Sequence, residues 1–111
     1  MVVNVNVQFK KGVLELCVLV LTAKKDRYGY ELVEMISRKI EIAEGTIYPL
    51  LRRLTIDGMF STYSIQSNVG PPRKYYKLTE QGRESMEEML TQWSLFAEGV
   101  QDMIEEGLRG E

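Results

Sequence analysis

The stretch Glu44-Gly45-Thr46-Ile47-Tyr48-Pro49-Leu50-Leu51-Arg52-Arg53-Leu54 constrains the chain more than any other. Spaced at 3.6 residues per turn, it is a helix with two unlike sides. Ile47, Leu50, Leu51 and Leu54 share one side and need a core. Thr46, Tyr48, Pro49, Arg52 and Arg53 fall on the other, which carries a hydroxyl, a phenol and two guanidinium groups. Those groups suit phosphates and base edges. Pro49 is tolerable only if its missing N–H belongs to the first turn, or if the helix bends there. By propensity the helix starts at Thr46, and it ends near Asp57-Gly58, where glycine suits a left-handed terminal residue.

Two helical patterns precede it. Phe9, Val13, Leu16, Cys17, Val20 and Leu21 are helically spaced over Phe9 to about Lys24, and Leu14, Val18 and Leu19 make that helix apolar nearly all round. Such a helix is buried on several sides, part of them against a second subunit. Its β-branched valines keep a strand as the competing reading. A polar connector, Lys24-Lys25-Asp26-Arg27, leads to a second helix from Tyr28 to about Lys39, with Leu32, Met35, Ile36 and Ile40 inward. After the third helix the period drops to two. Met59–Gln66 and Lys74–Leu78 read as strands around Ser67-Asn68-Val69-Gly70-Pro71-Pro72, a loop that stops helix and ladder alike. Helix, link, helix, hairpin is the outline of a winged helix-turn-helix, mainly α with a small β-hairpin. The third helix would read the major groove and the hairpin would be the wing. Gly70 to Lys77 carries three cations, two tyrosines and no acid, which suits phosphates or a minor groove. Arg73 and Lys74 are the better DNA candidates there, because one of Tyr75 and Tyr76 must point inward.

A last helix opens at Thr79, a suitable N-cap, with Glu80 and Glu84 matching the positive helix start. Met86, Leu90, Trp93, Ala97, Val100 and Ile104 form a heptad seam, widened by Met89, Phe96 and Met103. The seam is too long to pack only on so small a domain, so it is the expected dimerisation surface. Trp93, Phe96, Met89 and Leu90, with Leu14 or Val18 of the first helix, are either plain dimer core or a crevice for a flat apolar effector. The expected organisation is a lead-in over 1–8, a winged helix-turn-helix over 9–79, a dimerisation helix over 80–107 and a frayed tail over 108–111.

Composition decides between function classes. There is no histidine, which removes the commonest general base and metal ligand. No cysteine cluster or carboxylate pair replaces it, so an enzyme is disfavoured and neither metal nor cofactor is expected. The single Cys17 reads as a small buried hydrophobe. No apolar run is long enough to span a bilayer and no secretion signal is visible, so the cytoplasm is the expected compartment. The net charge of −2 conceals segregation: residues 1–79 hold twelve Lys and Arg against seven Asp and Glu, and residues 80–111 hold two against nine. A basic front and an acidic tail fit a nucleic-acid partner better than the overall charge does.

Four blocks in order, Lys11-Gly12-Val13-Leu14-Glu15, Tyr28-Gly29-Tyr30-Glu31-Leu32, Glu44 to Leu54 and Gly70 to Arg83, resemble the PadR family of bacterial transcriptional regulators, in particular its short subgroup with one C-terminal helix. The resemblance implies a dimeric winged-helix repressor of an inverted-repeat operator, released by a small hydrophobic or aromatic effector near the dimer interface. It implies a recognition helix that starts just before Gly45-Thr46. Thr46, Tyr48 and Arg52 match its recognition positions, and Arg73 and Lys74 match its wing. Tyr28, Lys10 and Lys11 are weaker candidates for phosphate contacts. Ala43 stands where the family often has a capping residue. The alternative is a winged-helix module that binds a ligand or protein without recognising an operator.

Overall fold

The computed structural model describes residues 7–43 and 45–109, with side chains from residue 12 onward. Helix α1 spans Val7–Leu21, which settles the helix-or-strand question. It also corrects the lead-in: Val7 and Gln8 are helical, and residues 1–6 lie outside the described residues. The helix stops at Leu21 because its last carbonyls find other partners. The Thr22 hydroxyl turns back on the carbonyls of Val18 and Leu19 (3.0 and 2.9 Å). Two guanidinium groups complete the cap: Arg27 donates to the Leu21 carbonyl at 3.1 Å and Arg83 to that of Ala23 at 2.8 Å.

Arg27 and Tyr28 form a two-residue strand, β1, where a connector and a helix start were expected. Tyr28 is extended (φ −90°, ψ 160°), and helix α2 runs Gly29–Ser37. The sheet therefore has three antiparallel strands in the order β1-β3-β2, with β2 at Phe60–Ile65 and β3 at Arg73–Leu78. Tyr75 pairs with Tyr28 on one side and Tyr63 on the other.

Helix α3 spans Ile47–Ile56, after Thr46 and not before Gly45. Gly45 has φ +82°, which excludes it from a right-handed helix and corrects the earlier start implied by the resemblance. Thr46 occupies the cap position without a side-chain cap bond. Pro49 is the third helical residue, so its missing N–H costs nothing. At the other end Gly58 (φ +86°) lets the N–H of Met59 reach the Leu54 carbonyl (2.8 Å) and its own N–H reach Thr55 (3.1 Å). That pair of bonds is a Schellman stop.

The core lies between the helices and the inner face of the sheet. Leu14, Val18 and Leu19 of α1 meet Leu32 and Ile36 of α2, Ile47, Leu51 and Leu54 of α3, and Phe60, Tyr76 and Leu78 of the sheet. Helix α4, Glu80–Leu108, joins the core through the buried Gly82 and Met86 and, partly, through Met89. Its root is tightly fastened. The Thr79 hydroxyl caps the Gly82 N–H (2.9 Å) and points its own hydrogen at the carbonyls of Gly58 and Met59 (2.6 and 3.0 Å). The Thr79 N–H donates to Met59 (3.0 Å) and the Gln81 side chain to the Asp57 carbonyl (3.3 Å). A Cβ at Gly82 would meet the Met59 carbonyl oxygen and, at 2.7 Å, a Leu78 methyl. The wing, the end of α3 and the start of α4 thus form one joint.

Candidate nucleic-acid interface

The outer side of α3 is open: Thr46, Tyr48, Arg52 and Arg53 are all exposed. The two arginines differ in setting. Among the described residues Arg52 has no carboxylate partner, whereas Arg53 pairs with Glu15 of α1 at 3.0 Å. That pair spans 38 positions of sequence and was invisible in it. Arg53 is therefore turned towards α1 and partly neutralised.

Tyr48 leans across the start of α2. Its Cε1 lies 2.7 Å from where a Cβ of Gly29 would be, so the absence of a side chain at Gly29 is what admits the ring. The Tyr-Gly-Tyr block carried that signal, but only the fold shows which ring fills the gap. Tyr76 forms the floor beneath, 6% exposed and edge-on to Phe60. Burial first, and then the nearby Tyr48 phenol, raise its pKa above the usual value, while the Arg52 guanidinium opposes the rise.

The wing carries its cations on aromatic faces. The Arg73 guanidinium sits 4.7 Å from the centre of the Tyr28 ring, and the Lys74 ammonium 5.8 Å from that of Tyr76. Tyr28 thus supports Arg73 from β1 and is also the N-cap of α2, at the helix start where it was expected. Tyr28, Tyr75 and Tyr63 form an aromatic row across the outer sheet, with ring centres 5.4 and 5.5 Å apart. The row ends at Asp26, which accepts the Tyr63 hydroxyl at 2.7 Å. That bond is the first cause of the raised Tyr63 pKa, with desolvation and the Asp26 charge adding to it. Between α2, α3 and the wing lies a cleft of about 520 Å³ lined by Tyr28, Tyr30, Tyr48, Arg73, Lys74 and Tyr76 among others. Lys10 and Lys11 are in α1, but their side chains lie outside the described residues.

The residues expected at a dimer or effector surface divide. Leu14 and Val18 are 2% and 0% exposed in the chain's own core, which leaves them no surface for a ligand. Met86 also packs inside its own chain, and Met89 packs partly against the same core. From Leu90 onward α4 is bare. Leu90, Trp93, Phe96, Met103 and Ile104 are exposed, Ala97 and Val100 are half-buried, and the Trp93 and Phe96 rings lie 6.5 Å apart. Cys17 is half-buried, and desolvation raises its thiol pKa. Among the described residues no helix is long and apolar enough to cross a membrane, and no group of three or more His, Cys, Asp or Glu could hold a metal ion.

A third helix with an open polar face, standing beside a cationic hairpin, defines a DNA-binding protein of the winged helix-turn-helix class. The comparisons give that class a narrower member. The model of the PadR-like family of transcriptional regulators matches residues 18–88, and the chain belongs to that family. It is 39% identical to a PadR-like transcription factor of Bacteroides fragilis, covering 86% of this chain and 94% of that one at a TM-score of 0.72. It is 35% identical to a PadR-like transcriptional regulator of Bacillus cereus, covering 87% and 96% at a TM-score of 0.77. An uncharacterized protein of Lysinibacillus sphaericus is 33% identical over 102 residues, 88% of this chain and 93% of that protein.

Proposed function

We propose that the protein is a cytoplasmic, homodimeric transcriptional repressor that binds an inverted-repeat operator. Thr46, Tyr48 and Arg52 of α3 read the major groove, and Arg73 and Lys74 anchor the wing on the adjacent phosphates. Arg53, held by Glu15, steadies the helix and contributes less to DNA. The observation that carries this reading is the shared aspect of the open α3 face and the wing cations, none of which has a carboxylate partner among the described residues except Arg53. Two chains joined through α4 from Leu90 onward would place two recognition helices about 34 Å apart, one DNA turn. Support for the pairing is the strip of exposed apolar side chains on α4, Leu90, Trp93, Phe96, Met103 and Ile104, since a contiguous apolar patch marks an interaction surface.

The test is salt-dependent binding to DNA upstream of the protein's own gene. Removing one phosphate-binding cation should lower the slope of log K against log salt by about 0.9. Replacing Arg73 and Lys74 with alanine should therefore lower it by about 1.8 per protomer and weaken binding to every sequence. An unchanged slope removes the wing from the interface. An effector at the helix pairing surface would sit against Trp93, the only tryptophan. Planar apolar compounds should quench its fluorescence in the dimer, and equal quenching in a monomeric Trp93-containing variant would rule out an interface site.

A further inference from the structure

The cleft between the start of α2, Tyr48 and the wing has a chemistry that DNA anchoring alone does not require. Its walls are phenol rings: Tyr28 and Tyr30 on one side, Tyr48 on another, and Tyr76 at the floor. Val69, Pro71 and Pro72 form an apolar rim, with Val69 84% exposed. Among the described residues that line it, the only charged ones are Arg73 and Lys74 and none is acidic. Both cations rest on ring faces and have no carboxylate partner among the described residues. An exposed cation that rests on a ring and lacks a counter-charge among the described residues is a ready seat for an external anion. Tyr30 is 60% exposed and Tyr48 44%, so both rings have area left to cover a planar group. At about 520 Å³ the cleft falls within the range of small-molecule sites and exceeds what a bare oxyanion would fill.

We infer that this cleft binds a free nucleoside phosphate, its base against Tyr30 and Tyr48 and its phosphate at the end of the cleft that Arg73 and Lys74 line. Stacking on aromatic rings tolerates any base, and a lining cation holds a phosphate through charge-assisted hydrogen bonds. The inference rests on the proposed DNA-binding role, because the same two cations face strand phosphates in the DNA complex. A nucleotide in the cleft and a duplex on the wing therefore exclude each other. That is direct competition at the DNA face, separate from any effector site along α4.

Calorimetric titration with AMP, adenosine and inorganic phosphate at one ionic strength tests it. AMP should bind at least tenfold more tightly than either fragment. Tyr30→Ala should weaken AMP at least fivefold and leave phosphate unaffected; Tyr30 is exposed, and an unchanged melting curve verifies that the variant folds. AMP should also displace a labelled duplex in fluorescence anisotropy. AMP binding no tighter than phosphate, or unaffected by Tyr30→Ala, overturns the inference and leaves a plain basic patch. A protein that binds duplex but not AMP fails this inference alone. One that binds AMP but no duplex keeps the nucleotide site and sinks both the competition and the proposed DNA-binding role.

Discussion

Two glycines on α4 separate a packing requirement from a helix-propensity cost. Glycine inside a helix is about 1 kcal/mol less favourable than alanine. At Gly99 nothing among the described residues lies within 4 Å of the position a Cβ would take, so Gly99→Ala should stabilise the fold by about 0.5–1 kcal/mol. At Gly82 the added methyl meets the Met59 carbonyl oxygen and a Leu78 methyl. The Leu78 side chain can turn aside. The carbonyl cannot, because it accepts the Thr79 N–H at 3.0 Å and lies 3.0 Å from the Thr79 hydroxyl. Forced overpacking of this kind costs about 1–3 kcal/mol, and the loosened cap adds about 1 kcal/mol. Set against the propensity gain, Gly82→Ala should lose about 1–3 kcal/mol. For a chain of this size each 1 kcal/mol moves Tm by about 4 °C. Urea and thermal unfolding followed by circular dichroism, at one protein concentration because a dimer's Tm depends on it, should show the two variants moving in opposite directions. If Gly82→Ala is as stable as the wild type or better, the joint is looser than described and the reasoning fails.

The arginines of α3 should separate in the same way. Arg52→Ala should weaken specific DNA binding by about 1–3 kcal/mol, whereas Arg53→Ala should weaken it less and cost at most about 1 kcal/mol of stability through the exposed Glu15 pair; equal losses in gel shifts would refute the difference. Tyr76 should titrate late. Its folded pKa is raised above that of the unfolded chain, so its contribution is whole below about pH 10 and is lost as pH climbs through the folded value. Phenolate absorbance should show Tyr76→Phe removing late amplitude, and removal of early amplitude instead would contradict the burial argument.

The parts of the fold with a long apolar period were legible. Ile47, Leu51 and Leu54 repeat at helical spacing and are buried, and Tyr76 turned inward while Tyr75 stayed half-open, as strand alternation requires. Strand β1 was not legible, because two residues, Arg27 and Tyr28, contain no period at all. Helix α1 gave an ambiguous pattern for the opposite reason. It is apolar nearly all round, so its sequence could not say which apolar side meets its own domain; Leu14 and Val18, open to a dimer core or an effector crevice by sequence, pack in the chain's own core. The seam on α4 likewise carries no mark of where its own domain ends, and Met86 falls on the near side of that limit. At the candidate site, the residue types on α3 and the wing were readable. Their pairings, Arg53 with Glu15 and Arg73 over Tyr28, depend on contacts between elements far apart in the chain.

Helix α4 is 29 residues long, about 43 Å at 1.5 Å per residue, yet the body grips only its first three turns, as far as Met89. The remainder is a lever arm. A tilt of about 5° at its root would carry a point about 30 Å along it through about 2.6 Å. Run in reverse, the same leverage lets a partner that holds the free end set the aim of the reading head with sub-ångström movement at the pivot. Thr79, Gln81 and Gly82 are the bearing on which that arm turns.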